Sequence, residues 1–591
     1  MIEHDWRHRF TAPRIETMAW AAEAPERLAI VSNESGSAQA WSWDLSTGAR
    51  RQVSGAGVGA EEAHILPDGS GVVWWVDELG DERGRWMLTP FGGGDPVPLM
   101  PDAGIGWMSG ISFAGDVVAA GYATDDGYEI RIGGPGRPSR VIYRSDRPAG
   151  VGAGWPQGRG GLSADGSLVA ISHAEKGDLS RPAVRILDAA TGEARGEVFD
   201  EGRPVTAAGW SPIAGDQRLV VIRETGEFER PWLWNLGDDA LTEIGTDLAG
   251  VAELLDWFPE GDAVLLRRDH MARHSLHRVG IEGGTTELVP EGRTIMDAGV
   301  RPDGDVWYLS ASSVEPPSVR SVGGDEIISL PDPSQPGRAF REIAFENRNG
   351  QTIHGFVVTP PGDGPFPTVL SIHGGPGYHH TDDFSPEVQA FVDEGFAVVL
   401  VNYRGSTGYG RSHREAIHGN IGFPESEDTI AALDHVIAEG IADPARVCFS
   451  GWSWGGYLAT LNAGINPDRW RAVFAGIPVG DYVAAHYECA PLLRSWDLAT
   501  LGGSPVDLPE LYHERNPMTY VERVRAPMLV IAGEHDSRCP IGQVMTYVVW
   551  LRAHDREVDV HLYPEGHHAN SAAEQVRHME LILDFFARHT A

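Results

Sequence analysis

Ser453 stands at the centre of GWSWG, residues 451 to 455, between the strand-like run VCFS and the small-residue helical run GYLATLNAG. A serine at the end of a strand projects above a sheet only if the chain turns sharply into a helix, and Gly451 and Gly455 leave room for that close turn. The hydroxyl is a weak nucleophile near neutrality and needs an imidazole to take its proton and return it to a leaving group. Such a base is offered by the pair His567 and His568, which follow the strand-like run EVDVHLY at 557 to 563 and precede an amphipathic run from Ser571 to Arg588. The Gly-His step favours His567, whereas counting from Pro564 favours His568, so His567 is the expected base with His568 as the alternate. Asp536 closes the set: PMLVIAGEHDSRCP reads as a buried strand ending in a polar turn, where a carboxylate can hold the imidazole in one tautomer.

An acyl-transfer site also needs donors for the developing oxyanion. PTVLSIHGGPG ends a buried strand in Gly374 and Gly375, and the amides of Gly375 and Trp454 are the expected pair. His379, His380, Asp382 and Asp383 lie just beyond, without a recognisable metal-ligand spacing, and are read as a solvated loop with no metal. The chain order Ser, Asp, His is that of α/β-hydrolases and differs from the chymotrypsin and subtilisin orders.

Two kinds of element must position these residues. From about 336 to 591, buried strands such as FAVVLVNY at 396 to 403 alternate with helices such as SEDTIAALDHVIAEG at 426 to 440, which predicts a doubly wound, mostly parallel sheet of the α/β-hydrolase fold. Residues 1 to 335 read differently. Turn-and-strand units recur near 24, 67, 114, 164, 214, 259 and 302, at the spacing of four-stranded blades, and predict a seven-bladed β-propeller preceded by an arm over the first 17 residues or so. GVGAGW at 150 to 155 is a blade connection, and PDPSQPGR at 331 to 338 marks the change between the two regions.

Composition limits what such a chain can do. With a net charge of −37 it repels phosphate backbones and anionic membranes, so neither nucleic acid nor membrane is an expected partner. Lys176 is the one lysine among 47 basic residues. No apolar run approaches the roughly 18 residues of a membrane span, and MIEHDWRHRF has no apolar signal core, which leads us to expect a cytoplasmic protein. Cys448, Cys489 and Cys539 are expected to be reduced, and no cofactor is expected.

HGGPG at 373 to 377, NYRGSTGYG at 402 to 410, GWSWGGY at 451 to 457, GEHDSRCP at 533 to 540 and EGH at 565 to 567 resemble the prolyl oligopeptidase family of serine peptidases, in its acylaminoacyl-peptidase and dipeptidyl-aminopeptidase-like branch. The resemblance spans residues 338 to 591 and implies a cytoplasmic oligopeptidase with a β-propeller over its active site and, plausibly, a homodimer. The expected activity is cleavage, through an acyl-enzyme, of amide bonds near the N terminus of short peptides or aminoacyl amides. The alternatives are an esterase or small-molecule amide hydrolase, for instance of aminoacyl-nucleoside antibiotics, and a propeller scaffold with a vestigial hydrolase. For substrate binding the sequence offers Glu224, Glu227 and Glu229 in RETGEFERPWLW, and Arg538, which could instead bridge to the propeller. Glu488 lies in a segment that the family places near its site.

Overall fold

Each turn-and-strand unit of the N-terminal half leads into the second strand of a four-stranded antiparallel blade. The structure, a computed structural model, describes residues 5–591 other than 56, 154–159 and 246. The second strands are Arg27–Ser32, Gly71–Asp77, Val117–Thr124, Leu168–His173, Arg218–Glu224, Ala263–His270 and Val306–Ala311. Among the described residues the propeller comprises five four-stranded sheets and one eight-stranded sheet. In the latter, blades 2 and 3 are joined through Arg83–Pro90 and Gly106–Ala114. Seven blades result, as the repeat predicts.

The period-two alternation of those strands is what closes the ring, because successive side chains face opposite neighbouring blades. Val72 and Trp74 pack towards blade 1, whereas Val73 and Trp75 pack towards blade 3. In blade 5, Leu219 and Val221 face blade 4 and Val220 faces blade 6. The first and last blades share no strand. They are held instead by an apolar seam in which Ile30 and Leu28 meet Trp307 and Leu309, each such side chain contributing about 1.5–3 kcal/mol on burial.

The second domain is an eight-stranded sheet from Arg341–Glu346 to Val558–Tyr563, beyond the segment PDPSQPGR. Its second strand in sheet order, Thr352–Val358, pairs antiparallel with both neighbours, and all the other pairs are parallel. Ala397–Asn402 and Met528–Gly533 are buried throughout, as strands covered on both faces must be. Helices Phe423–Ala438, Trp454–Ile465 and Ile541–Ala553 cover one face, while Pro386–Asp393 and Ala572–Thr590 cover the other. The N-terminal arm joins that second layer. Trp6 and Phe10 pack with Phe391 and Phe586, and Arg9 Nε bonds Asp393 at 2.9 Å with both groups buried. Of GVGAGW, Gly150 and Val151 belong to Ala149–Val151, the first strand of blade 4, and residues 154 and 155 lie outside the described residues. No helix is long and apolar enough to cross a membrane.

Candidate active site

Strand Ala442–Trp452 is the fifth in chain order of the second domain and lies centrally in its sheet. Its end turns into helix Trp454–Ile465 at Ser453, which takes φ 56° and ψ −115°. A serine held there carries about 1–3 kcal/mol of backbone strain, which surrounding packing must overcome. Glycine makes that packing possible. A Cβ on Gly451 would sit 2.4 Å from the backbone of Gly455, and one on Gly455 would sit 2.1 Å from the Ile372 carbonyl. Strand and helix can approach this closely only with side chains absent.

Ser453 Oγ donates to His567 Nε2 at 3.0 Å. His567 Nδ1 in turn donates to Asp536, 2.9 Å from Oδ2 and 3.0 Å from Oδ1. Asp536 Oδ1 also accepts the amides of Arg538 and Cys539, each at 2.8 Å. Burial alone would raise the Asp536 pKa, but His567 and those two amides outweigh it and hold the carboxyl below its usual range. The carboxylate therefore stays charged at neutral pH against the imidazole. His568 does not join this chain. Its ring stands edge-on to His567 with centroids 5.0 Å apart, faces the cavity, and is driven well towards the neutral form by burial.

Ser453, His567, Gly375 and Trp454 open into one cavity of about 320 Å³ between the domains. Gly375 has φ +118°, a conformation that favours glycine, and Trp454 begins the helix whose first amides lack intrahelical partners. Trp75 and Trp107 from the propeller and Trp454 and Trp496 from the hydrolase domain give the cavity apolar walls. Its propeller side is acidic, with Glu61, Glu62 and Glu82. Glu61 reaches cavity water yet lies deep inside the molecule, and burial, reinforced by Glu82, pushes its carboxyl up to about 7. Sequence reasoning missed this wall. The signal was available in the doublet Glu61–Glu62 just before blade 2, but nothing local said that blade 2 overhangs the catalytic sheet.

The blade 2 hairpin also fixes the histidine loop. Asp77 Oδ1 and Oδ2 accept the amides of Gly80 and Glu82, each at 2.7 Å, shaping a tip that meets Gly566 so closely that a Cβ on Gly80 would lie 2.5 Å from the Gly566 nitrogen. Arg538 pairs with Glu82 across the interface, and Ser537 Oγ donates to Glu82 at 3.3 Å. Of the two roles open for Arg538, the bridge to the propeller is present, on the wall of the cavity.

Four sequence candidates are placed elsewhere. Glu224 is buried and its carboxylate accepts from Arg414 at 2.6 Å, while Glu229 accepts from the same guanidinium at 3.0 Å. Glu227 accepts the Ser412 amide at 3.0 Å and its hydroxyl at 2.7 Å. These carboxylates are engaged in joining blade 5 to residues 411 to 414 and do not line the cavity, because the tip of that blade lands on the hydrolase domain rather than over the serine. Glu488 does not line it either. Its Oε2 accepts the Gln543 amide at 3.2 Å and covers the start of helix Ile541–Ala553, an end that favours a carboxylate. The loop from His379 to Asp383 is likewise not solvated: His379 is buried, His380 Nε2 meets the Ser371 carbonyl at 3.2 Å, and Asp382 accepts from Arg273 at 3.0 Å. The three cysteines are free and buried, and Cys489 and Cys539 line the cavity.

A sequence model of the prolyl oligopeptidase family matches residues 382–591. The chain is 25% identical over 379 residues to the uncharacterized peptidase YuxL of Bacillus subtilis, covering 59% of this chain and 55% of that one. It is 32% identical over 318 residues to the human acylamino-acid-releasing enzyme, covering 50% and 42%. The chain thus spans about half the length of these curated relatives. The solved structure of a puromycin-hydrolyzing peptidase of Mycobacterium tuberculosis superposes with a TM-score of 0.79 at 18% identity, over 99% of this chain and 95% of that one, a likeness of fold.

Proposed function

From a chain that carries a prolyl oligopeptidase family domain, with a β-propeller packed over an α/β-hydrolase sheet, we propose amide hydrolysis near the N terminus of short peptides or aminoacyl amides through an acyl-serine intermediate. The observation that carries this reading is the hydrogen-bonded chain Ser453–His567–Asp536 at the floor of a walled cavity. In it, His567 takes the Ser453 proton as the hydroxyl attacks the carbonyl, then gives it to the leaving amine. Asp536 orients the imidazole and stabilises its charged form. The Gly375 and Trp454 amides receive the oxyanion, a contribution worth about 100- to 1000-fold in rate per donor. Water then repeats the sequence on the acyl-serine.

The cavity walls support a narrower choice of substrate. A volume of about 320 Å³ excludes folded protein and suits one or two residues. Its acidic propeller side, through Glu61, complements a free α-ammonium group rather than an acylated one, and the tryptophans suit apolar or aromatic side chains and leaving groups. Aminoacyl-nucleosides of the puromycin kind fit the same description, as does release of one or two residues from a peptide.

Matched amides with free, acetylated and dipeptidyl N termini, assayed side by side, test this reading. Free-amine substrates are expected to lead in kcat/KM, and Glu61→Gln to lower that value by about 10- to 100-fold for them alone, the worth of one desolvated charged contact. The sign with pH follows from the raised pKa of Glu61: it ionises as pH rises through about 7, so KM for free-amine substrates falls there. KM rises again above about pH 8, where the α-amine loses its proton. Glu61→Gln should flatten the lower limb. Acetylated substrates turning over faster than free-amine ones, with Glu61→Gln neutral on both, would overturn the choice of substrate and leave the acyl-enzyme chemistry standing.

A further inference from the structure

Behind the glycine loop at Gly375, side chains from both domains turn unpartnered polar atoms towards one another. Asp269 and His274 come from the blade 6 hairpin of strands Ala263–His270 and Arg273–Gly280, while His379 lies four residues beyond Gly375. His379 Nε2 is 3.3 Å from Asp269 Oδ2, His274 Nε2 is 3.8 Å from Asp269 Oδ1, and one ligand atom from each residue lies within 4.8 Å of the others. The residues are 8%, 5% and 8% exposed for Asp269, His274 and His379, so water does not solvate them freely. Yet Asp269 Oδ1, His274 Nε2 and His379 Nε2 have no hydrogen-bond partner. Three buried orphan atoms at one point are unusual, since nearly all buried polar groups find partners.

We infer that Asp269, His274 and His379 form a binding site for a divalent transition-metal cation, zinc foremost, that ties blade 6 to the loop carrying Gly375. Two imidazoles and a carboxylate are a donor set suited to Zn²⁺, which binds nitrogen and oxygen at about 2.0–2.2 Å, so that tetrahedral donors stand roughly 3.4 Å apart. The observed 3.3 and 3.8 Å need little adjustment. The outer contacts are also in place. His379 Nδ1 bonds Thr407 Oγ1 at 2.9 Å. His274 Nδ1 lies 3.1 Å from the Ile295 carbonyl and accepts the Ile295 amide at 3.0 Å, so ligation through Nε2 requires the tautomer in which Nδ1 gives up the amide and donates to the carbonyl. The neighbouring Arg267 would oppose a cation, but its guanidinium is engaged by Glu253 and by the Ile295 carbonyl. Hard ions such as Ca²⁺ and Mg²⁺ prefer all-oxygen cages and are disfavoured here.

The site escapes sequence inspection because His379 lies more than a hundred positions from Asp269 and His274. A bound ion would fix the segment that supplies the Gly375 amide relative to the propeller. Two other groups among the described residues could compete for added metal, Asp536 with Cys539 and His567, and His561 with Glu574 and His578.

The full chain, equilibrated with zinc sulfate and then dialysed against zinc-free buffer, is expected to retain about one zinc by elemental analysis, and added zinc to raise its melting temperature. Asp269→Asn and His379→Ala alter different domains. Each is expected to weaken zinc binding in titration calorimetry by about 100-fold or more, exceeding the 10- to 100-fold typical of outer-contact losses, and to abolish the melting shift. His567→Ala and His578→Ala should retain the metal. If one variant fails to fold, the other still decides. The inference is overturned if the wild-type chain retains no zinc, if both variants bind it as the wild type does, or if retention is lost only in His567→Ala or His578→Ala.

Discussion

His567→Ala is expected to lower kcat by about 10⁶-fold, the scale on which removing the base of a serine-nucleophile site removes the whole unit, while His568→Ala leaves kcat within about 10-fold. The two residues are adjacent in sequence and differ in one geometric respect. His567 lies 3.0 Å from Ser453 Oγ through Nε2 and 2.9 Å from Asp536 through Nδ1, whereas His568 turns its ring to the cavity. Without His567 the hydroxyl has no acceptor for its proton during attack, and the leaving amine has no donor. Circular dichroism of both variants alongside steady-state kinetics on an aminoacyl amide checks the expectation. Loss of turnover in folded His568→Ala with His567→Ala active would reverse the assignment.

Asp536→Asn is expected to cost about 10⁴-fold in kcat with KM little changed, because an amide at this position can donate to Nδ1 and so stabilise the tautomer that cannot accept the serine proton. The carboxylate makes four contacts, two from the imidazole nitrogen and one from each of the amides of Arg538 and Cys539. The asparagine can keep some of these, so the fold should survive the substitution. That separates orientation of the base from stability. A drop below about 10-fold in a folded Asp536→Asn protein would mean that the carboxylate is not what sets the tautomer.

How much of this was legible in the sequence depended on whether a feature was local. The strand-to-helix turn at Ser453, the glycines beside it and the Asp536 turn are contiguous patterns, and each predicts its own backbone. The seven blades were equally legible, since each repeats one turn and one apolar strand. What depended on how one domain sits on the other was not. Glu224, Glu227 and Glu229 read as a charged loop beside aromatics, but their chemistry is decided by Arg414 and Ser412, almost two hundred positions away. Glu61 drew no notice because its importance comes from blade 2 overhanging the serine. The loop at His379 looked solvated for the same reason: the blade 6 hairpin that buries it is remote in sequence.

The choice between adjacent histidines marks the border between the two kinds of information. Counting residues in the last loop left both open. Contact between the blade 2 tip and Gly566 holds that loop, and the structure directs one ring towards the serine and the other towards the cavity.

The most direct test is covalent labelling by a fluorophosphonate, which reports only a serine activated by its surroundings. One label per chain is expected, mapped by peptide mass spectrometry to Ser453, with labelling abolished in Ser453→Ala and slowed by several orders of magnitude in His567→Ala. A label on another residue, or undiminished labelling of Ser453→Ala, would contradict that expectation.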